Sequence, residues 1–331
     1  MSWITWVAIL ILLPTGAIAF AAWYALAVPG KAHEGPLPEA TAEERDLAAR
    51  LRTHVTAVAS VPHNVKHYAA LERAAQYIER VLQDQGYPIN RQIFDVAGRA
   101  VRNIEATREA QNGSPGAQTL VVGAHYDSWD DAPGANDNGT GVAATLELAR
   151  LLKDWKPEQL RIRYVLFVNE EPPYFRTPDM GSWRYAKQLS QRGERVRGMI
   201  SLETMGYYSD KPGSQEFPPP FGLVYPSVGN FIAVVGMPAS RKFLHEVLGS
   251  LRQHTAFPTI GGVAPDAIPG IGWSDHWAFS EFGFPAIMLT DTAPFRYPHY
   301  HRPSDTPDKI DYARLARITK GVERVVRDIA R

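Results

Sequence analysis

LVVGAHYDSWDDAPGANDNGTGVAATLELA, residues 120–149, contains the clearest indication of the fold. It opens with five small or aliphatic residues, and polar His125 and Asp127 follow directly, a pattern typical of a strand buried on both faces. It closes with a segment carrying Leu146 and Leu148 that is predicted to be a helix. The glycines between the predicted strand and the predicted helix permit a tight loop. A buried strand followed by a loop and a helix is the repeating unit of α/β proteins.

Three further apolar runs resemble the first: residues 164–168, 199–202 and 285–289. Amphipathic helices alternate with these strands, since apolar residues three or four positions apart mark residues 47–55, 71–82, 243–251 and 315–329. A capping box at Thr41 and Glu44 begins the first helix, and Gly86 ends the second. The sequence therefore predicts a three-layer α/β/α sandwich around a mostly parallel mixed sheet, with ligands at the carboxyl ends of the strands.

The chain of 331 residues is predicted to contain an anchor, a linker and one globular domain. Residues 1–28 are predicted to be a single-pass transmembrane anchor, because the uncharged stretch 4–28 is long enough to cross about 30 Å of hydrocarbon as a helix. A cleavable signal peptide is the alternative, since Ala25-Leu26-Ala27 is a small-x-small site. Proline and glycine mark residues 29–40 as a linker, and residues 41–331 form the domain.

Composition limits the chemistry. Thirty-five basic side chains balance thirty-five acidic ones, so no strong field attracts nucleic acid or an anionic membrane surface. Cysteine is absent, which excludes disulfides, thiolate metal ligands and cysteine nucleophiles. Any metal must therefore be bound by nitrogen and oxygen.

Histidines and carboxylates follow all four predicted strands. His125-x-Asp127 follows the first strand, Glu170-Glu171 the second and Glu203 the third, and a loop with His299 and His301 follows the fourth. Because the carboxyl ends of parallel strands meet at one edge of a sheet, we expect these side chains to converge. Such a set of nitrogen and oxygen donors indicates a metal site.

Several roles follow from the residue types. Asp137, in the glycine-rich loop before the helix, has two oxygens and is assigned as a bridge between two cations. One member of the Glu170-Glu171 pair can bind metal while the other acts as general base. The histidine of the last loop stays open between His299 and His301. A serine triad at residues 274–276 is disfavoured, because no G-x-S-x-G motif occurs.

In their order, these motifs resemble the aminopeptidase Y family of co-catalytic zinc metallopeptidases, whose relatives include glutamate carboxypeptidase II, endoplasmic reticulum metallopeptidase and glutaminyl cyclase. The resemblance is carried by residues 102–106, 123–128, 133–139, 169–171 and 300–306. It implies a zinc peptidase domain with two zinc ions per chain, held by five ligands: His125, Asp137, Glu171, Glu203 and His301.

The resemblance also implies the remaining roles. His125 and Glu203 would bind one zinc ion, Glu171 and His301 the other, and Asp137 both. Glu170 would be the general base, Asp127 would orient the His125 ring, and Asp305 would support His301 in the same way. The ligand histidine precedes x-Pro-x-Asp-Thr in this family, which selects His301, and Tyr300 would stabilise the oxyanion.

The predicted function is an aminopeptidase that removes N-terminal residues from peptides, with its domain in the periplasm or outside the cell. Glu203 stands where well-known aminopeptidases of the group carry aspartate, and residues 172–175 replace their usual Gly-Leu-Leu-Gly. Two alternatives are a glutaminyl cyclase with one zinc ion and a non-catalytic ectodomain like that of the transferrin receptor. Residues 207–230 are expected either to cover the site or to pack on the body of the domain.

Overall fold

The computed structural model describes residues 3–111 and 117–330, without the side chains of residues 4–11 and 18. Eight α-helices and eight strands occur in this part of the chain. In chain order they are α1 (Trp3–Leu26), α2 (Ala42–Val58), α3 (Tyr68–Asp84), β1 (Ile89–Val96), β2 (Arg99–Arg108), β3 (Gln118–His125), α4 (Thr140–Leu152), β4 (Leu160–Phe167), α5 (Gly181–Gln191), β5 (Val196–Glu203), β6 (Ile232–Gly236), α6 (Arg241–His254), β7 (Thr259–Val263), α7 (His276–Glu281), β8 (Ala286–Thr290) and α8 (Tyr312–Ile329).

The eight strands form one sheet in the order β1-β2-β4-β3-β5-β8-β6-β7. The four central strands β4, β3, β5 and β8 run parallel to one another, whereas β2 pairs antiparallel with both β1 and β4, and β6 pairs antiparallel with β8. These central strands are the four that the apolar runs predict. The mostly parallel mixed sheet is therefore confirmed.

Helices cover both faces of the sheet. Side chains alternate along β3, so that Leu120 and Val122 pack in the larger core cluster, while Val121 packs in the smaller one. The larger cluster joins the sheet to α2, α3, α4, α6 and α8, and the smaller joins it to α5 and α7. Two helical layers on one central sheet make a three-layer α/β/α sandwich.

The predicted helix ends are confirmed at two places. At the start of α2, the Thr41 hydroxyl accepts a hydrogen bond from the Glu44 amide at 3.1 Å, and the Glu44 carboxylate accepts one from the Thr41 amide at 2.7 Å. After α3, Gly86 has a φ of +91°, a conformation that glycine adopts without a steric penalty. Both ends are local features, because neighbouring residues supply every contact.

The amino terminus forms α1, but the predicted membrane span is not supported. Counting only residues whose side chains the structure describes, no helix is long and apolar enough to cross a membrane. The location of the domain outside the cytoplasm stays a prediction. The predicted linker has no helix or strand, yet it lies on the domain: Arg252 donates to the carbonyls of Pro29 and Gly30, and Arg317 to that of Pro38.

Candidate metal centre

The sheet brings the predicted site residues to one edge. His125 is the last residue of β3 and Glu203 the last of β5, two strands that lie side by side and parallel. Glu170 and Glu171 follow the end of β4 on the other side of β3. His301 reaches the same place from the loop after β8, the strand next to β5. The predicted convergence therefore occurs.

Left-handed backbone turns direct several of these side chains. Asn169, before the glutamate pair, has a φ of +61°, Thr204, after Glu203, has +45°, and His301 itself has +55°. Residues other than glycine are rare in this region, and they concentrate at functional sites where the surroundings hold them. The turn at Asn169 redirects the chain at the end of β4, so that Glu170 and Glu171 both contribute to the centre.

The loop that carries Asp137 depends on two glycines. Gly134 has a φ of +74°, and a Cβ on Gly141 would lie 2.3 Å from the carbonyl oxygen of Leu202. Asp137 has φ −111° and ψ 86°, so it lies outside the helix, and α4 begins three residues later, at Thr140. The peptide bond from Asp137 to Asn138 is cis. Asp137 therefore lies in the loop that precedes the helix.

Asp137 lies between two histidines and turns a different oxygen to each. Its Oδ1 is 3.4 Å from His125 Nε2, and its Oδ2 is 3.1 Å from His301 Nε2. Glu203 Oε2 is also 3.4 Å from His125 Nε2, and Glu171 Oε2 is 3.3 Å from His301 Nε2. The five side chains form two sets of donors that share Asp137.

Buried atoms at this centre lack hydrogen-bond partners among the residues that the structure describes. They are His125 Nε2, Asp137 Oδ2, Glu171 Oε1 and His301 Nε2. Leaving buried polar atoms unpaired costs roughly 1–3 kcal/mol each, so an arrangement with several of them needs a further partner. Imidazole nitrogens and carboxylate oxygens are ligands that zinc accepts, and His125, Asp137 and Glu171 lie close enough together to hold one ion. The residues fit the predicted metal.

The pKa values of these groups reflect the same crowding. Burial lowers the pKa of His301, but Asp137 and Glu171 outweigh it and raise the pKa to about 10. Burial raises the pKa of Glu171 to about 8, with the charge of Asp137 adding to the effect. Burial also lowers the pKa of His125, but the charges of Glu203 and Glu170 outweigh this effect and raise the pKa well above its usual value. Each of these shifts acts in the direction that reduces the net negative charge of the crowded centre.

Metal binding is expected to weaken as the pH falls. A metal must displace the protons of His301 and Glu171, whose pKa values of about 10 and about 8 leave both groups protonated below pH 8. Each displaced proton lowers the apparent affinity about tenfold per pH unit. Competition with a chromogenic chelator between about pH 8 and about pH 6 measures the effect, and we expect a loss of about 10³- to 10⁴-fold, since two protons are displaced over two pH units. Equal affinities at the two pH values would contradict this expectation.

Asp127 supports the centre differently from the prediction. Its backbone carbonyl, not its carboxylate, accepts the hydrogen bond from His125 Nδ1, at 3.0 Å; the carboxylate is 3.6 Å from that nitrogen. The carboxylate instead accepts hydrogen bonds from the amides of Glu170 at 3.0 Å and Glu171 at 3.2 Å. Asp127 therefore fixes the His125 ring and also the backbone of the glutamate pair.

Glu170 lies inside the centre. Its Oε2 is 3.8 Å from His125 Nε2, and only 7% of the residue is exposed. Burial raises the pKa of Glu170 well above its usual value, and the charges of Glu203 and Glu171 act in the same direction against the opposing charge of His125. A carboxylate in these surroundings holds a proton more readily than a solvated one.

The predicted role of Asp305 is wrong. Among the hydrogen bonds of residues 3–111 and 117–330, none joins Asp305 to His301. Asp305 instead accepts from the amides of Asn136 at 2.9 Å and Asp137 at 3.2 Å and from the Tyr297 hydroxyl at 2.7 Å. It therefore supports the bridging aspartate, because it fixes the backbone of the loop that carries it.

Replacing Asp305 by alanine is expected to weaken metal binding about 10- to 100-fold, since residues that orient metal ligands typically contribute that much. The matched control is Asp308→Ala, three residues further on, whose side chain is 68% exposed. Chelator competition on both variants measures the effect. A metal affinity of Asp305→Ala equal to that of the control would show that the loop holds Asp137 without this carboxylate.

Aromatic rings hold His301 in place. Its ring stacks on Trp129 with centroids 5.0 Å apart and on Tyr300 with centroids 3.9 Å apart. His299, the other candidate, contacts the Ser304 hydroxyl at 2.9 Å, and the structure brings His301, not His299, to Asp137. Burial, with the charges of Asp137 and neighbouring carboxylates, raises the pKa of Tyr300 well above its usual value, so its hydroxyl keeps its proton.

The Ser-Asp-His sequence at residues 274–276 does not form a serine triad. The Ser274 hydroxyl donates to Glu203 Oε2 at 2.8 Å, and His276 Nε2 contacts the carbonyl of Ile271 at 2.7 Å. Ser274 therefore belongs to the metal centre as a partner of Glu203, a role that sequence reasoning missed. Its only sequence signal was the motif itself, which was assigned no function.

Asn136 and Asn138 were also missed, although they flank Asp137 in the glycine-rich loop. The Asn138 side chain donates to the Leu202 carbonyl at 2.8 Å and accepts from the amides of Gly141 and Thr204, both at 3.1 Å. Asn138 therefore joins the Asp137 loop to the end of β5. The signal was available, because an aspartate between two asparagines in a buried loop offers amide groups that need partners.

A cavity of about 90 Å³ adjoins the metal centre. Glu203 and Tyr300 line it together with apolar side chains, among them Phe217, Phe221 and Tyr225. These three aromatic residues come from the segment 207–230, which is irregular apart from a short 3-10 helix at Phe221–Leu223. The segment thus lies next to the site, and it also packs on the body of the domain, where the Tyr225 hydroxyl donates to the Gly261 carbonyl at 2.9 Å.

Known proteins resemble this chain in sequence and in fold. Protein YfbL of Escherichia coli (strain K12) is 37% identical over 270 residues, covering 79% of this chain and 81% of that protein. Probable leucine aminopeptidase 1 of Trichophyton verrucosum (strain HKI 0517) is 26% identical over 227 residues, covering 65% of this chain and 55% of that protein. The chain thus spans about half the length of the fungal relative.

Two solved structures are similar in fold. BSAP, a zinc aminopeptidase from Bacillus subtilis, has a TM-score of 0.66 at 16% identity, covering 88% of this chain and 96% of that chain. Glutaminyl cyclase from Bacteroides thetaiotaomicron has a TM-score of 0.61 at 19% identity, covering 88% and 99%. These two similarities show that the chain shares its fold with both proteins.

The family is shown by a match to most of the domain. The model of peptidase family M28 matches residues 103–326, about two thirds of the chain. All eight side chains predicted for the site lie within these residues: His125, Asp127, Asp137, Glu170, Glu171, Glu203, Tyr300 and His301. The chain therefore belongs to peptidase family M28.

Proposed function

We propose that this protein is a dinuclear zinc aminopeptidase, which hydrolyses the N-terminal residue of peptides. One observation carries the proposal: Asp137 places one oxygen 3.4 Å from His125 and the other 3.1 Å from His301. A single metal would need only one side of this carboxylate. Two sets of donors on its two sides suit two ions.

Each ion would have its own ligands. His125 and Glu203 would hold one ion together with Asp137 Oδ1, and Glu171 and His301 would hold the other together with Asp137 Oδ2. When bound, such a metal pair supplies Lewis acidity and lowers the pKa of a water molecule towards neutrality. Asp127 and Asp305 hold the backbone around these ligands, so that the ligands keep their places when substrate binds.

Glu170 handles the proton. Its buried carboxylate lies within 4 Å of His125 Nε2 and accepts a proton from the attacking water as the water adds to the peptide carbonyl. It then donates that proton to the nitrogen of the leaving amine. The Tyr300 hydroxyl keeps its proton at neutral pH and donates a hydrogen bond to the oxyanion that develops on the carbonyl.

The cavity beside the centre would take the side chain of the N-terminal residue. Its aromatic and aliphatic lining excludes charged side chains, because burying an unpaired charge is costly. A cavity of roughly 150 Å³ can hold benzene, so one of about 90 Å³ suits a single aliphatic side chain. Relatives named leucine aminopeptidase support this preference.

A panel of aminoacyl p-nitroanilides and their N-acetylated counterparts, tested with the zinc-loaded protein, separates the possibilities. We expect release of p-nitroaniline from free aminoacyl compounds with apolar side chains, and none from the acetylated ones. Cleavage of acetylated compounds alone would contradict an aminopeptidase. A peptide with N-terminal glutamine is included, because loss of ammonia by cyclisation, with one metal per chain, would establish the glutaminyl cyclase alternative instead.

A further inference from the structure

The carboxyl end of α1 reaches the cavity beside the metal centre. Leu26, the last residue of α1, is half-buried and lines the cavity with Phe221, Tyr225 and Ile260. The chain packs tightly at this place, since a Cβ on Gly262 of β7 would lie only 2.7 Å from the Ala25 carbonyl oxygen. The N-terminal segment therefore forms part of the cavity.

Arg241, the first residue of α6, holds this end of α1. Its Nε donates to the Tyr24 carbonyl at 2.8 Å, and its guanidinium lies over the Tyr24 ring at 4.5 Å. The last carbonyls of a helix have no partner within the helix and carry partial negative charge, so a cation there is stabilising. A side chain of the catalytic domain therefore caps α1, and this contact fixes its end beside the cavity.

A second arginine of α6 holds the residues that follow. Arg252 Nη1 donates to the carbonyls of Pro29 at 2.7 Å and Gly30 at 3.0 Å. Val28, which lies in the chain between the residues that the two arginines contact, is half-buried and packs on the main hydrophobic core. The segment from Tyr24 to Gly30 is thus attached on both sides of Leu26, which restricts the movement of Leu26 away from the cavity.

We propose that the segment 24–30 is a wall of the substrate pocket, and that Leu26 limits the size of the N-terminal side chain that the enzyme accepts. The inference rests on the proposed aminopeptidase function, because it assigns the cavity to the substrate side chain. It gives the amino-terminal segment a role in substrate selection. Cleavage after Ala27 would remove residues 24–27 of this segment, Leu26 included, and would open the pocket.

Two substitutions in the full-length enzyme, one making the side chain at position 26 smaller and one making it larger, test whether Leu26 limits the pocket. Leu26→Ala is expected to raise kcat/KM for L-phenylalanine p-nitroanilide relative to L-leucine p-nitroanilide by about five- to tenfold, because one methylene in an apolar pocket is worth on the order of tenfold. Leu26→Phe is expected to lower the same ratio by a similar factor. Arg241→Gln, which loosens the segment without changing Leu26, should shift the ratio in the direction of Leu26→Ala.

The matched control is Leu13→Ala, which makes the same chemical change in α1 at a side chain that is 68% exposed. Its ratio should equal that of the unaltered enzyme. Ratios within about twofold of that control in both Leu26 variants would overturn the inference, even though the enzyme remains an aminopeptidase.

If no anilide is cleaved, that result counts against the proposed function, and a binding measurement then tests the role of Leu26. Calorimetry then compares the binding of L-leucinol and L-phenylalaninol to the same proteins. A shift of their affinity ratio by about fivefold in the Leu26 variants, and none in Leu13→Ala, would support the wall. Failure of both compounds to bind the unaltered protein would overturn it.

Discussion

Glu170→Gln is expected to lower kcat by about 10³-fold, with little change in KM. The substitution keeps the size of the side chain but removes its ability to accept a proton, and general base catalysis typically contributes 10²- to 10⁴-fold. None of the five proposed ligands is altered, so the metal content should stay the same. Steady-state kinetics on L-leucine p-nitroanilide, together with elemental analysis, measure both quantities.

The control for this prediction is Glu281→Gln, the same change at an exposed residue at the end of α7. It should leave kcat unchanged. A loss of metal in Glu170→Gln would show that Glu170 is a ligand rather than the base. Full activity with both metals bound would remove it from the proposed mechanism altogether.

Asp137→Asn is expected to have a still broader effect, because it changes the ligand shared by both sets of donors. Asparagine offers one neutral carbonyl oxygen in place of two charged ones, and its amide group cannot bind a metal. We expect the metal content to fall from two ions to one or fewer per chain, and kcat/KM to fall at least about 10³-fold, because a bound metal contributes several kcal/mol to catalysis. Elemental analysis after gel filtration measures the first effect, and kinetics the second.

Asp131→Asn is the control, since Asp131 follows the same strand but is more than half exposed and pairs with Lys66 and His67. Its metal content and activity should match those of the unaltered protein. Two tightly bound ions in Asp137→Asn would mean that the other four side chains suffice, and that the bridge has been assigned wrongly.

The central part of the fold could be predicted from the sequence because buried parallel strands leave a clear signal. β3, β4, β5 and β8 contain continuous apolar runs, as strands covered on both faces must. β1 lies at the sheet edge with mostly exposed or half-exposed residues, so its sequence INRQIFDV carries no such run. β7 lies at the opposite edge and has only five residues, two of them glycines. Edge and short strands depend on pairing with distant neighbours, which sequence patterns do not show.

The residue types at the centre could also be predicted, but their partners could not. The position of His125 at a strand end follows from the local sequence, and the resemblance to a known family selected His301. The contacts of Asp305 with the Asp137 loop and of Ser274 with Glu203 join residues 168 and 71 positions apart in the chain. Such contacts depend on how the loops pack, which is why Asp305 was assigned to the wrong partner.

A crystal structure of the zinc-loaded protein, with anomalous data collected at the zinc absorption edge, tests the dinuclear centre directly. We predict two anomalous peaks roughly 3.5 Å apart, one contacting His125 and Glu203 and the other Glu171 and His301, with one Asp137 oxygen on each. A single peak, or a His301 ring turned away from Asp137, would contradict the dinuclear centre.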